Sequence, residues 1–493
     1  MKPSLPRLSS LLRKKPFRFP SGSPSPFPKP PTLSQEPNND ILIDEETSLF
    51  YDPRKSYPAR PGDVLGRYQI LVKVGWGVGS TIWFARDLEG KEEDPETVVA
   101  LKICNSSTND NPSPNSSLNS SSSYSISATH EREIEEHISS LTPSHPGRSL
   151  LRTYLDAFEI EGPEKGSSHS CLVYPPMRET LAMYQRRFEG GRVPLEIGKV
   201  YVRALLTGLE YLHGVGRVVH TDLKPENILL TFESPIVLST FMETHLSTLL
   251  SLSLNLNPNP AQTSSKSKID STGRPIYPSQ TDFGPLHSLK SIPQLIDFGL
   301  AIKLPEYDDW GIWPIQADVY RAPEVILGFG WRFSVDIWNM GVVMWDLLSG
   351  HKLFHPRQIY DQQGRYDAKR HIAQMISLLG PPPPEIIQRY LSMRSYIWPE
   401  HMRVKREDDG MVCKSAEKYF SGPFFDEDGT FLYKDLLPST GNRDLADAVP
   451  SILEGEEKDS FIDLAQSMLH WHPDKRKSAG ELVEHSFLRP RNK

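Results

Sequence analysis

The stretch VVHTDLKPENILL, residues 218–230, sets an aspartate, a lysine and an asparagine at fixed short intervals. In that order Asp222 can accept or orient an incoming hydroxyl, Lys224 can neutralise charge on a transferring phosphoryl group, and Asn227 can bind a magnesium ion. A partner ligand for magnesium is spelled twice: TDFGPLHSLKSIPQLIDFGLA, residues 281–301, holds Asp-Phe-Gly at 282 and again at 297. One nucleotide site needs one such aspartate. Asp297 follows the strand-like PQLI and stands 27 residues before Glu324 of an Ala-Pro-Glu triplet, whereas Asp282 follows polar SQT and precedes Gly-Pro. The metal is therefore assigned to Asp297, and Asp282 is read as a chance match.

Phosphate groups need donors as well as cations. VGWGVGSTIW, residues 74–83, places Gly75, Gly77 and Gly79 between two strand-like runs, where backbone amides can approach a triphosphate without intervening side chains. Val74 and Ile82 flank the turn, and Ser80 stands where a third glycine is usual. Alone, such a hairpin is more often a plain tight turn. Lys102 in VALKI ends the next strand-like run, where its ammonium can meet the α and β phosphates. Glu133, on the helical stretch HEREIEEHISSL (130–141), is expected to pair with Lys102, although Glu131, Glu135 and Glu136 lie close by.

Three apolar, β-branched runs, YQILVKV (68–74), STIWFAR (80–86) and TVVALKIC (97–104), predict an antiparallel sheet. Beyond about residue 180 the spacing becomes helical, as in VYVRALLTGLEYLHGVG (200–216), which ends in glycines that can stop a helix. A small sheet-rich half thus precedes a larger helical one. Residues 1–60 are rich in Pro and Ser and are expected to be a disordered basic leader. The Ser- and Asn-rich tract 105–128 and the stretch from about 235 to 290 read as insertions of low complexity.

Bulk composition narrows the partners. The 493 residues carry 55 Lys and Arg against 62 Asp and Glu, a net charge of −7, which argues against a protein built to neutralise nucleic-acid phosphates. Three scattered cysteines give neither a disulfide framework nor a zinc motif and suit a reducing compartment. The most apolar run, DIWNMGVVMWDLL (336–348), is too short to span a bilayer and reads as a buried helix. The first 35 residues hold seven Lys or Arg and no acid, compatible with plain basic disorder, a nuclear signal or a mitochondrial presequence.

In order, the chain shows a glycine loop, VALK, a helix glutamate, H-x-D-x-K-x-x-x-N, DFG, APE and DIWNMG. This resembles the eukaryotic protein kinase superfamily, over about Tyr68 to Leu488. The resemblance implies an α+β bilobal fold, with a mainly antiparallel N-lobe at 68–177, a helical C-lobe at 178–488, and ATP with Mg2+ in the cleft between them. HTD in place of HRD, GWG in the glycine loop, IQ near the Tyr-Arg of the substrate loop, HIAQMISLLG (371–380) and the insertion before DFG are similar to the SR-protein kinase family, in a divergent, fungal-type member. That resemblance implies transfer of the ATP γ-phosphate to serines of Arg/Ser-rich proteins, often splicing factors, by a monomer that binds neither nucleic acid nor membrane and works in cytoplasm or nucleus. It further implies that Glu324 pairs with Arg476 and that Asp336 braces the catalytic loop. Aligning CLVYPPMRE (171–179) with the family hinge puts Tyr174 at the gatekeeper position, the Pro175 carbonyl as the first adenine contact and the N–H and carbonyl of Met177 as the next. Val99, Ala100, Ile82 and Leu229 are then the apolar surfaces around the base.

Two departures bear on regulation. Thr221 stands where many kinases keep an arginine to hold a loop phosphate, and no Ser or Thr lies between Leu300 and Arg321, so constitutive activity is expected. Ala317 replaces a threonine that usually bonds the catalytic Asp and Lys, which favours the alternative of a pseudokinase scaffold. Retention of Lys102, Asp222, Asn227 and Asp297 together favours the enzyme. An RNA-binding structural protein would need a basic groove or aromatic RNA motifs, and neither is visible.

Overall fold

The computed structural model describes residues 42–48, 51–89, 98–106, 128–141, 144–253, 267–270, 272–306, 309–406, 409–437, 444–449 and 452–489. The tract 105–128 lies almost wholly outside them, as does 254–266 of the second insertion.

The alternating runs form strands β1 (Val64–Leu65), β2 (Tyr68–Gly77), β3 (Ser80–Asp87), β4 (Val98–Cys104), β5 (Asp156–Glu161) and β6 (Ser168–Tyr174). They make one six-stranded antiparallel sheet in the order β1-β2-β3-β4-β6-β5. Because side chains alternate across a strand, Trp83, Ala85, Val99, Leu101 and Ile103 fill one face, while Phe84, Val98 and Ala100 fill the other. Lys102 shares the second face with Ala100 by parity. Helix α1 (Ala128–Ser140) crosses beside this sheet.

The helical half is built on α2 (Leu181–Gln185), α3 (Leu195–Glu210), α5 (Pro323–Leu327) and α6 (Ser334–Ser349). Every residue of α6 from Val335 to Ser349 is buried, as its near-continuous apolar composition requires. No helix among the described residues is long and apolar enough to cross a membrane. At the top of this half, β7 (Glu179–Thr180), β9 (Ile228–Leu230) and β12 (Pro293–Leu295) pair antiparallel, and β8 (Val218–Val219) pairs with β13 (Ile302–Lys303). These short pairings bring residues 220–227 and 296–301 side by side.

Two segments are more ordered than their composition predicts. Within the leader, Asp44–Thr47 form a 3-10 turn whose Glu45 is buried against Lys73 and Arg274, and the Tyr51 hydroxyl donates to Asp270 (2.7 Å). Charge pairing rather than apolar periodicity anchors this piece, so a search for periodic apolar residues passes over it. Within the second insertion, α4 (Pro235–Ser253) sets Val237, Leu238, Phe241, Met242 and Leu246 at helical spacing against Leu71, Val72, Phe84 and Val98 of the sheet. The Ser and Thr between those residues mask the amphipathic pattern. A hairpin of β10 (Lys268–Ile269) and β11 (Pro275–Ile276) follows it.

Candidate active site

The loop that carries Asp222 is bent by Thr221, whose φ of 67° is costly for a β-branched residue. The surroundings hold it there. Asp336 at the start of α6 is fully buried and accepts the backbone N–H groups of His220 (2.7 Å) and Thr221 (3.0 Å), the bracing role expected of it. The Thr221 hydroxyl donates to the Leu300 carbonyl (2.7 Å), and the His220 ring lies 3.0 Å from the Ile296 carbonyl. The catalytic loop and the segment around Asp297 are thereby fixed to one another.

Within that frame Asp222 Oδ2 accepts from Lys224 Nζ (2.7 Å) and Asn227 Nδ2 (2.8 Å). The Asn227 amide nitrogen also donates to the Asp222 carbonyl (2.9 Å), which leaves its oxygen, the atom a hard cation takes. Asp297 adopts φ 63° and ψ 75°, with its side chain 46% exposed and Phe298 buried against the His220 ring at 5.3 Å. Lys102 Nζ approaches Asp297 at 3.5 Å and holds its carboxyl below the usual range, so a full charge faces the cleft. Burial would lower the Lys102 ammonium, but the carboxylates of Glu131 and Asp297 outweigh it and raise it.

Asp297 and Asn227 are therefore suited to Mg2+. The described residues form no cluster of three or more His, Cys, Asp or Glu able to hold a metal unaided. The glycine turn fits a phosphate chain. A Cβ on Gly75 would meet Ile82 at 3.6 Å and one on Gly77 would meet only Ser80 at 3.8 Å, so the fold itself does not demand glycine there. The second Asp-Phe-Gly serves packing: Phe283 is buried among Phe84, Phe232 and Phe241, and Asp282 is exposed, accepting from Gly284 N–H (2.9 Å). Arg178 and Arg187 both donate to the Gly284 carbonyl, at 2.8 and 3.0 Å.

One expected pairing is corrected. Glu133 points to solvent, and it is Glu131 that meets Lys102, at 2.6 and 2.7 Å. The buried face of α1 is Glu131, Ile134, Glu135 and Ile138, the i, i+3, i+4, i+7 set, and Glu133 lies off that stripe. The position of Ile134 and Ile138 in the sequence carried this signal. At the hinge, Tyr174 and Met177 are buried, and among the described residues nothing bonds the Met177 N–H or carbonyl. The Pro175 carbonyl already accepts two donors from Arg152, at 2.7 Å from Nη2 and 3.3 Å from Nε, so an adenine amino group would share this oxygen with the guanidinium. Arg152 had no motif to announce it. Ala100 is buried, while Val74, Ile82 and Leu229 are partly exposed around the same space.

The family described as protein kinase domain matches residues 68–241 and 286–488. The chain belongs to the protein kinase family. A serine/threonine protein kinase of Aspergillus fumigatus is 32% identical over 483 residues, covering 96% of this chain and 97% of that one. The serine/threonine-protein kinase SRPK of Physarum polycephalum is 28% identical over 461 residues, 91% and 92% of the two chains. SRSF protein kinase 3 of Sus scrofa is 32% identical over 213 residues, 43% of this chain and 34% of that protein. A crystal structure of a kinase domain superposes with a TM-score of 0.54 over 89% of this chain and 100% of its own, and at 22% identity it speaks for the fold alone. The protein is a protein serine/threonine kinase, an ATP-using phosphotransferase with protein substrates.

The kinase also buries a carboxyl that the phosphotransfer residues do not use. Burial first, then the neighbouring Glu131 carboxylate, pushes Glu135 up to about 8. Its folded value thus lies above its unfolded one, so the native state binds the extra proton. The resulting stability is present below the ordinary Glu value and is lost as pH rises through about 8. Glu135→Gln removes the titration. Urea unfolding at pH 5 and pH 8.5 should show the wild type losing about 1–3 kcal/mol more than the variant across that interval.

Proposed function

We propose that this kinase phosphorylates serines in Arg/Ser-rich proteins, splicing factors among them, and that it does so without prior phosphorylation of its activation segment. Asp222 orients the serine hydroxyl and Lys224 offsets charge on the γ-phosphoryl group. Lys102, held by Glu131, meets the α and β phosphates, and Asp297 with Asn227 holds Mg2+.

The observation that carries constitutive activity is the Thr221 hydroxyl on the Leu300 carbonyl. Where an arginine would wait for a loop phosphate, an uncharged hydroxyl makes the link between catalytic loop and activation segment directly. Pairing of β13 with β8 extends that link, since Ile302 and Lys303 are laddered to Val219 and Val218. Tyr307 and Asp308 lie outside the described residues. The substrate class rests on the SR-kinase-like motifs and on relatives that carry SRPK and SRSF kinase names. Ala317 supports the scaffold alternative, because among the described residues the Lys224 ammonium bonds Asp222 and no side chain of the activation segment. A missing hydroxyl there costs about 1 kcal/mol, too little to silence a complete set of catalytic groups.

Phosphatase-treated enzyme assayed with radiolabelled ATP on a peptide panel tests both claims. Undiminished activity, with Arg/Ser repeats preferred about tenfold over acidic or proline-directed serines, is the expected result. Activity lost to phosphatase would remove constitutive action, and preference for the other peptides would remove the substrate class.

A further inference from the structure

Behind the nucleotide cleft the kinase buries a polar chain that joins the hinge to α1. The Tyr174 hydroxyl, at the end of β6, donates to Glu135 Oε1 at 2.9 Å and lies 3.4 Å from Glu131 Oε1. Glu135 Oε2 accepts the Tyr154 N–H at 2.6 Å. The Arg152 guanidinium sits 4.5 Å from the centre of the Tyr174 ring while bonded to the Pro175 carbonyl. Tyr174 is 5% exposed and Glu135 fully buried.

We propose that Tyr174 is a positioning residue: its hydroxyl, anchored on Glu135, holds α1 at the depth where Glu131 meets Lys102, so the hinge and the phosphate end of the cleft are set together. The claim rests on the phosphotransfer reading, since the Lys102–Glu131 pair matters only if Lys102 meets phosphates. Glu131 and Glu135 are one helical turn apart and face the same way, so fixing one fixes the other. The other polar ties of α1 run elsewhere. His130 meets the Ala301 carbonyl at 2.8 Å and His137 the Gly216 carbonyl at 2.9 Å, both in the helical half. Toward the sheet and the segment leading into β5, Lys102 on Glu131 and Tyr174 on Glu135 are joined by the Tyr154 N–H on Glu135, the Tyr154 hydroxyl on Glu136 (2.8 Å) at the rim and, at the end of the helix, Ser139 on Thr153 (3.1 Å). A phenylalanine would fill the same volume but leave a buried oxygen of the Glu135 carboxyl without its hydrogen-bond partner.

The test uses the full chain with Tyr174→Phe and with the pair Tyr174→Phe, Glu135→Leu. Hydrogen exchange over residues 128–140, thermal melting, and separate kcat and KM for ATP are measured. The single variant should lower kcat about tenfold, with KM for ATP changed less than about threefold, and should speed exchange in α1. The double variant, which removes both polar partners at once, should recover most of the kcat and the protection. Wild-type kcat and exchange in Tyr174→Phe would overturn the proposal. If the single variant does not fold, a folded and active double variant supports the link and an inactive or unfolded one overturns it. A wild type without phosphotransfer would instead sink the proposed function, while the exchange arm still reports on the link.

Discussion

Asp297→Ala lowers kcat by at least about a thousandfold, while Asp282→Ala leaves it within about twofold, when the two single variants are compared in the same phosphotransfer assay. The two residues share a tripeptide and nothing else. Asp297 lies 3.5 Å from Lys102, beside the loop that holds Asn227 and Asp222, and its charge is secured by that lysine. On the proposed assignment its removal takes away the carboxylate that would hold Mg2+ against the phosphates, a loss of several kcal/mol at the transition state. Asp282 is exposed and only closes a turn on Gly284, an arrangement whose removal affects neither phosphate nor hydroxyl. The reverse outcome would reassign the metal site. A useful second reading is nucleotide binding in the presence and absence of Mg2+, which should lose its metal dependence in Asp297→Ala alone.

Glu324→Ala is expected to destabilise the folded kinase by about 3–5 kcal/mol, measured by urea unfolding. Glu324 and Arg476 both have side chains with no exposure, and the guanidinium donates to the two carboxylate oxygens at 2.6 and 2.7 Å. Arg476 also donates to the Ser334 carbonyl at 2.9 Å and, through two nitrogens, to the His470 carbonyl at 3.0 and 2.8 Å. Removing only the carboxylate leaves a buried cation with neutral acceptors alone, which costs far more than the pair itself contributes. For that reason Glu324→Ala combined with Arg476→Met should recover much of the loss. An unchanged urea midpoint in Glu324→Ala would show that the pair is hydrated or open in solution.

Much of this site was legible because its chemistry is local. Asp222, Lys224 and Asn227 fall within six residues, and a loop that short leaves their side chains few ways to diverge. Val99, expected beside Ala100 at the base, instead lies on the opposite face of β4 with Leu101 and Ile103, because neighbouring side chains alternate along a strand. The copy of Asp-Phe-Gly at 297 could be preferred for its strand-like approach, and the buried Phe283 explains what the other copy does instead.

Pairings across long separations were decided elsewhere. Glu131 rather than Glu133 reaches Lys102 because helical phase, set by Ile134 and Ile138 entering the core, rotates one carboxylate inward and the other out. Arg152 reaching the Pro175 carbonyl, Glu45 reaching Lys73, and α4 lying under β2 and β3 join segments whose sequences carry no sign of one another. By itself, the sequence determined the family, the two-part architecture and the groups able to move a phosphoryl unit, since these follow from short-range spacing and side-chain chemistry. Only the tertiary structure decided which carboxylate faces the lysine, what occupies the hinge carbonyl and how the insertion packs. Those outcomes depend on burying charged and apolar groups from distant segments in one place, where pairing must be satisfied in three dimensions at once.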